Sequence, residues 1–202
     1  MSKVCTDLSN FNVEDHYSVP MGEERSSFVI LSECSGGGKS TLLSEFARRG
    51  FAVVSEPGRQ IVKEQMAIDG TGLPWLDSLK MAELILSRSM FVFNSTKNAG
   101  YVFFDRGIVD IIAYFDHIQI PIPEYLLNAV QNYRYHRKVF LTPPWEEIYR
   151  IDSERKHTFA KAASSYEAHV KAYERLGYEV ITLPKVAPGE RADFILRHLD
   201  MR

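Results

Sequence analysis

"LSECSGGGKSTLL", Leu31 to Leu43, joins the end of an apolar run to the start of a helical pattern. Its second half, Gly38-Lys39-Ser40, fits the spacing G-x-x-x-x-G-K-[ST], in which a glycine-rich turn aims backbone N–H groups at phosphate. Its first half departs from that spacing, because Glu33 stands where the first glycine belongs. "SSFVILS" before it reads as a buried strand. "KSTLLSEFARRG" after it reads as a helix, with Leu42, Leu43, Phe46 and Ala47 on one face and Gly50 closing it. Strand, glycine-rich loop and helix are the context the spacing requires. The plainer alternative is a glycine-rich turn ahead of an ordinary helix.

Working outward, the pattern keeps alternating. "FAVVSE", "YVFFD", "KVFLTPP" and "YEVITLP" are further short apolar runs. "GRQIVKEQMAIDG", "LDSLKMAELILSRSMFVFNSTKNAG", "IVDIIAYFDHI", "PEYLLNAVQNY", "WEEIYRIDSERKHTFAKAASSYEAHVKAYERLG" and "GERADFILRHLD" read as helices or mainly helical stretches. Gly70 is expected to stop the first of these. Continuous apolar strands separated by helices predict an α/β fold: three layers around a central parallel sheet of about five strands. Ligands in such sheets bind beyond the carboxyl ends of the strands.

The 202 residues are expected to form one domain over 26–202, preceded by a polar, mobile extension over 1–25. That extension carries Asp7, Glu14, Asp15, Glu23 and Glu24 against Lys3 and Arg25, and Met21 could start a shorter product. A net charge of −2 gives no basic excess for nucleic acid or an anionic membrane. Two cysteines, Cys5 and Cys34, suit a reducing compartment. With neither a signal-peptide pattern nor a long apolar span, the expected location is the cytoplasm.

The strand ends supply the candidate chemistry. In the loop, Ser35, Gly36, Gly37, Gly38, Lys39, Ser40 and Thr41 are the candidate nucleotide contacts. Lys39 would neutralise the β/γ-phosphates and the Ser40 hydroxyl would ligate Mg2+. Asp105 ends "YVFFD", where an acid can hold Mg2+; it could instead cap the helix that follows. Arg106 follows it, and a cation there favours an anionic substrate over activation of water. Glu56, in "SEPGR", could take a proton from an attacking hydroxyl, or could cap a helix. Arg150 and Arg155, with Lys156, could close over a transferring phosphoryl group or form a solvated helix face. His157 is expected to face solvent and Trp75 to pack in the core or its loop.

Taken together, "FVILSECSGGGKSTLLSEFARRG", "VVSEPGRQIVKEQ", "LPWLD", "VFFDRGIVDIIAYF" and "RIDSERKHTF…YERLGYEVITLP" resemble the predicted-ATPase, AAA-like P-loop domain related to the NadR-type nicotinamide riboside kinase domain. "DRGIVDIIAY" is also similar to a segment of thymidylate kinases, and "SEP" to one of deoxynucleoside kinases. The resemblance covers about residues 26–200. It implies a P-loop kinase-like fold with strands ordered 2-3-1-4-5. It also implies ATP or GTP with Mg2+, and a nucleotide base bordered by about Pro184–Pro188.

Two functions follow as expectations. One is a Mg2+-dependent phosphotransferase acting on a nucleoside, nucleotide or similar small hydroxyl compound. The other is a slowly turning nucleotide switch that regulates a protein partner. A signature GTPase is disfavoured, because "STKNAG" lacks the Asp of N/T-K-x-D. A hexameric motor is disfavoured by the absence of an acid pair after "YVFF". Glu33 is expected to weaken the site through backbone strain and repulsion of phosphate, unless its side chain points away from the loop.

Overall fold

A computed structural model describes residues 19–33, 36–97, 100–148 and 159–201. Ser35, Arg150, Arg155, Lys156 and His157 lie outside the described residues, as does most of the extension.

In chain order the elements are β1 (Glu24–Arg25), β2 (Phe28–Ser32), α1 (Lys39–Arg48), β3 (Ala52–Val54), α2 (Gly58–Ala67), α3 (Ser78–Ser95) and β4 (Val102–Asp105). Then come α4 (Val109–Ile118), α5 (Glu124–Asn132), β5 (Arg134–Tyr135), β6 (Lys138–Leu141), α6 (Phe159–Arg175), β7 (Glu179–Thr182) and α7 (Pro188–His198). The main sheet runs β3-β4-β2-β6-β7, all parallel, with Phe28 opposite Val102 and Leu31 opposite both Asp105 and Phe140. Numbered within this sheet alone, that is the order 2-3-1-4-5 implied by the resemblance.

The pleat sorts each strand into two cores. Phe28 and Ile30 of β2 join Val102, Phe104, Val139 and Leu141 under α3, α4, α5 and α6. Val29 and Leu31 point the other way, with Phe103 and Phe140, onto α1 and α7. This makes three layers, and β2 is fully buried between them. Phe46 of α1 stacks on Phe103 at 3.7 Å between ring centroids, with Phe51 edge-on to Phe103.

Several details differ from the sequence reading. Gly70 does not carry the left-handed turn after α2; Asp69 does, at φ +53°, a conformation short polar side chains tolerate. Trp75 is not packed in: it is 64% exposed, because Leu73 takes the buried place in the α2–α3 loop. After β6 the described chain forms a 3-10 turn over Glu146–Ile148, and α6 is described from Phe159 onward. Glu24 and Arg25, at the edge of the expected extension, pair in parallel with Arg134 and Tyr135. The Arg25 guanidinium lies over the rings of Phe28 and Phe93, 5.1 and 4.9 Å from their centroids. Among the described residues, no helix is long and apolar enough to cross a membrane.

The Phe46–Phe103 contact ties α1 to the sheet directly behind the glycine-rich loop. Phe46→Ala is expected to cost about 3–5 kcal/mol of stability, the usual price of an aromatic cavity. Urea unfolding checks this; a loss under about 1 kcal/mol would show that α1 is held elsewhere.

Candidate active site

The glycine-rich turn owes its shape to two left-handed residues, Gly36 at φ +87° and Gly38 at φ +80°. A Cβ on Gly38 would also come within 2.7 Å of the Arg191 guanidinium. Gly38 is the N-cap of α1, with no side chain capping it and no acid in the first turn. The first amides of α1 are therefore available to an anion. Ser40 and Thr41 are exposed in that turn. From below, Arg191 of α7 donates through Nη1 to the carbonyl of Gly37 at 2.9 Å and faces the Trp145 ring at 5.5 Å. Burial pulls the Arg191 guanidinium below its ordinary value.

Lys39 and Asp105 meet across the tips of β2 and β4, with Nζ 3.5 Å from Oδ1. That carboxylate oxygen is buried and accepts no hydrogen bond, so its lone pairs are open to a cation or water. No group of three or more His, Cys, Asp or Glu among the described residues could cage a metal by itself. A Mg2+ ion does not require one, since it usually shares one or two protein oxygens with phosphate and water. Ser40 and Asp105 fit that arrangement.

Beside this pair lies a largely buried ionic cluster. Arg106 leaves β4 in the left-handed region, at φ +68°, while its N–H donates to the Leu31 carbonyl. Its Nε is 3.4 Å from Glu56 Oε1, and its Nη1 is 3.1 Å from Asp110 Oδ1 and 3.6 Å from Glu33 Oε1. Burial alone would lower its proton affinity. The carboxylates of Glu56, Glu33, Asp110 and Asp105 outweigh burial and hold the guanidinium well above its ordinary value. The sequence reading gave Arg106 to an anionic substrate; in the fold, carboxylates already surround it.

Asp110 organises the cluster. Oδ1 accepts from the Ser32 hydroxyl and from Arg106. Oδ2 accepts from the Gly107 N–H at 2.7 Å and the Tyr173 hydroxyl at 2.6 Å. Burial would raise this carboxyl, but Arg106, His169, Ser32 and Tyr173 together bring it below the ordinary Asp value. Burial pushes the Tyr173 hydroxyl far up, and Asp110 adds to that. His169 lies 3.4 Å from Glu33 and 3.5 Å from Asp110.

Glu33 adopts φ +40°, so a side chain does occupy a left-handed position where a glycine would sit freely. The Thr142 hydroxyl donates to its carbonyl. Its carboxylate is turned toward Arg106 and α6: Oε1 accepts from the Ser165 hydroxyl at 3.1 Å, while Oε2 is buried without a partner.

Lys39, Glu56, Asp105 and Arg106 thus converge around the strand tips. Arg59 of the "SEPGR" stretch is exposed on α2. Asp110, Ser165, His169, Tyr173 and Arg191 escaped the sequence reading. Signals existed for four of them. Asp110 interrupts the apolar face of "IVDIIAYF", His169 and Tyr173 share one face at i, i+4, and Arg191 heads the stripe Ala192, Ile195, Leu199.

Asp110→Asn is expected to destabilise the protein by about 3 kcal/mol near neutral pH, through loss of a buried ion-pair partner. Because the folded carboxyl lies below the ordinary 3.8, its contribution is complete above that pH and is lost as pH falls through the lower folded value. The gap between the two proteins in urea midpoint should therefore close as pH drops below 3.8; a gap unchanged by pH would contradict this.

Comparison with known proteins adds the family and the fold. A family model described as AAA domain matches residues 28–191. No curated protein matches the sequence significantly. Among solved structures, deoxyadenosine kinase from M. mycoides, with dCMP and dCDP bound, aligns at TM-score 0.62 and 16% identity, covering 86% of this chain and 98% of that one. Thymidylate kinase from Ehrlichia chaffeensis aligns at TM-score 0.57 and 18% identity, covering 87% and 99%. NadR protein in complex with NR aligns at TM-score 0.65 and 15% identity over 88% of this chain; the chain spans 52% of NadR. At these identities the likeness is one of fold.

Proposed function

We propose, for a chain that belongs to the AAA-domain family and has a P-loop kinase-like fold, the role of a Mg2+-dependent phosphotransferase. Its donor is ATP or GTP, and its acceptor is a nucleoside, nucleotide or similar small hydroxyl compound. The observation that carries this reading is the Lys39–Asp105 pair, 3.5 Å apart beside the uncapped start of α1, with Glu56 near it at the next strand end.

In this reading the amides of Gly36 to Thr41 hold the phosphates and Lys39 offsets their charge. Ser40 and Asp105 are the residues that would hold Mg2+, which when bound neutralises charge on the phosphates. Glu56 accepts the acceptor's hydroxyl proton. It suits that task because its side chain is 29% exposed, while Arg106 at 3.4 Å fixes its direction. Ser35, Arg150 and Arg155 remain part of the proposal as a further loop contact and as cations closing over the transferring group. The low cysteine count supports work in the cytoplasm.

A second reading, a nucleotide-driven switch acting on a protein partner, draws support from Glu33, which connects the phosphate loop to α6. The two readings part on turnover.

Lys39→Ala is expected to abolish binding of Mg-ATP and Mg-GTP without unfolding the protein, as calorimetry will read. Unchanged affinity would sink the P-loop reading. Glu56→Gln is expected to keep nucleotide binding and to slow transfer by about 10²–10⁴-fold. Loss of nucleotide binding in that variant, with transfer otherwise unexplained, would remove Glu56 from the role of base.

A further inference from the structure

Three carboxylates, Glu56, Glu33 and Asp110, lie within 3.6 Å of one guanidinium, that of Arg106. The neighbouring cation, Lys39, is already paired with Asp105. Among the described residues gathered here, even a protonated His169 would leave the carboxylates in excess of the cations.

The three carboxylates differ in their uses. Asp110 is consumed internally by Ser32, Gly107 and Tyr173. Glu56 is partly exposed and serves as the proposed base. Glu33 has the least internal use. It sits at a left-handed backbone position, is 2% exposed, and leaves Oε2 buried with no hydrogen-bond partner. What it adds beyond the Ser165 contact is charge.

A phosphate monoester is bound best by two N–H groups on one edge of a guanidinium. Any two of the three Arg106 nitrogens include Nε or Nη1, and both already face carboxylates. We infer that Glu33 sets the charge of the acceptor: the site takes a hydroxyl compound that carries no phosphate, neutral or cationic, and excludes phosphate monoesters. This rests on the phosphotransferase reading above and narrows its acceptor class. Glu33 acts through the field around Arg106, as a specificity-determining residue.

The test starts from protein loaded with Mg2+ and a non-hydrolysable analogue of ATP or of GTP, so that the phosphate loop is filled. Calorimetry then measures binding of inorganic phosphate and of the four ribonucleoside 5′-monophosphates to the loaded protein. Glu33→Gln removes the charge and keeps the shape. Glu33→Gly removes the side chain, relieves the backbone, and serves if the first variant does not fold. The protein itself is expected to bind none of these probes at millimolar concentration. Either variant is expected to bind at least one of them at least about tenfold more tightly, because one repelling charge is gone. Monophosphate binding by the unaltered protein, or variants that still bind no probe, would overturn the inference while leaving the phosphotransferase reading intact. Failure to load either analogue would instead remove the phosphotransferase reading, and the inference with it.

Discussion

A guanidinium largely withdrawn from water is held most firmly by carboxylates at short range, and Arg106 is the group around which this molecule arranges them. The chain leaves β4 at Arg106 in a left-handed conformation and supplies Asp110 four residues later, in the first turn of α4. Asp110 in turn fastens Ser32 at the end of β2 and Tyr173 on α6. Glu56 approaches from beyond β3, and Glu33 from the start of the phosphate loop. One cation thus fixes the relative positions of three strand ends and two helices. The apolar clusters on either face of the sheet supply the bulk of the burial, but they are tolerant of small shifts. The ionic cluster is not, because each buried oxygen has a direction.

The fold was legible in the sequence because its strands are continuous apolar runs. A parallel strand buried on both faces cannot alternate, and "FVILS" and "VFFD" do not. The glycine-rich loop was legible for a related reason, since backbone conformations at positive φ leave a mark in residue type. The β1–β5 ribbon left no such mark: two residues on each side are too short for any period, and Arg25 is held by rings distant in sequence. Trp75 was misread because large aromatic side chains are usually buried, whereas here the loop buries Leu73 instead.

The site was legible in part. Acids and cations at strand ends could be picked out by position, which gave Lys39, Glu56, Asp105 and Arg106. Their mutual satisfaction could not, since it depends on α6, which reaches Arg106 from about sixty residues away. Glu33 shows the limit most clearly. The spacing alone flagged it as a departure, but only the fold could give its carboxylate a direction. A motif records where the backbone must bend; it does not record what an unexpected side chain will find there.

The contact between Arg191 and the Gly37 carbonyl spans 154 positions of sequence. A ribosome delivers the two partners in order, so the phosphate loop emerges long before the helix that braces it. Until α7 docks on α1, the Gly37 carbonyl lacks this donor and the underside of the loop is open to water. The brace beneath the glycine-rich turn is therefore completed late in synthesis, and a chain cut short before α7 would present the turn without its support. Among the described helices, the last thus steadies the first, and the shape of a turn made early in the chain depends on a contact that only its late residues can supply.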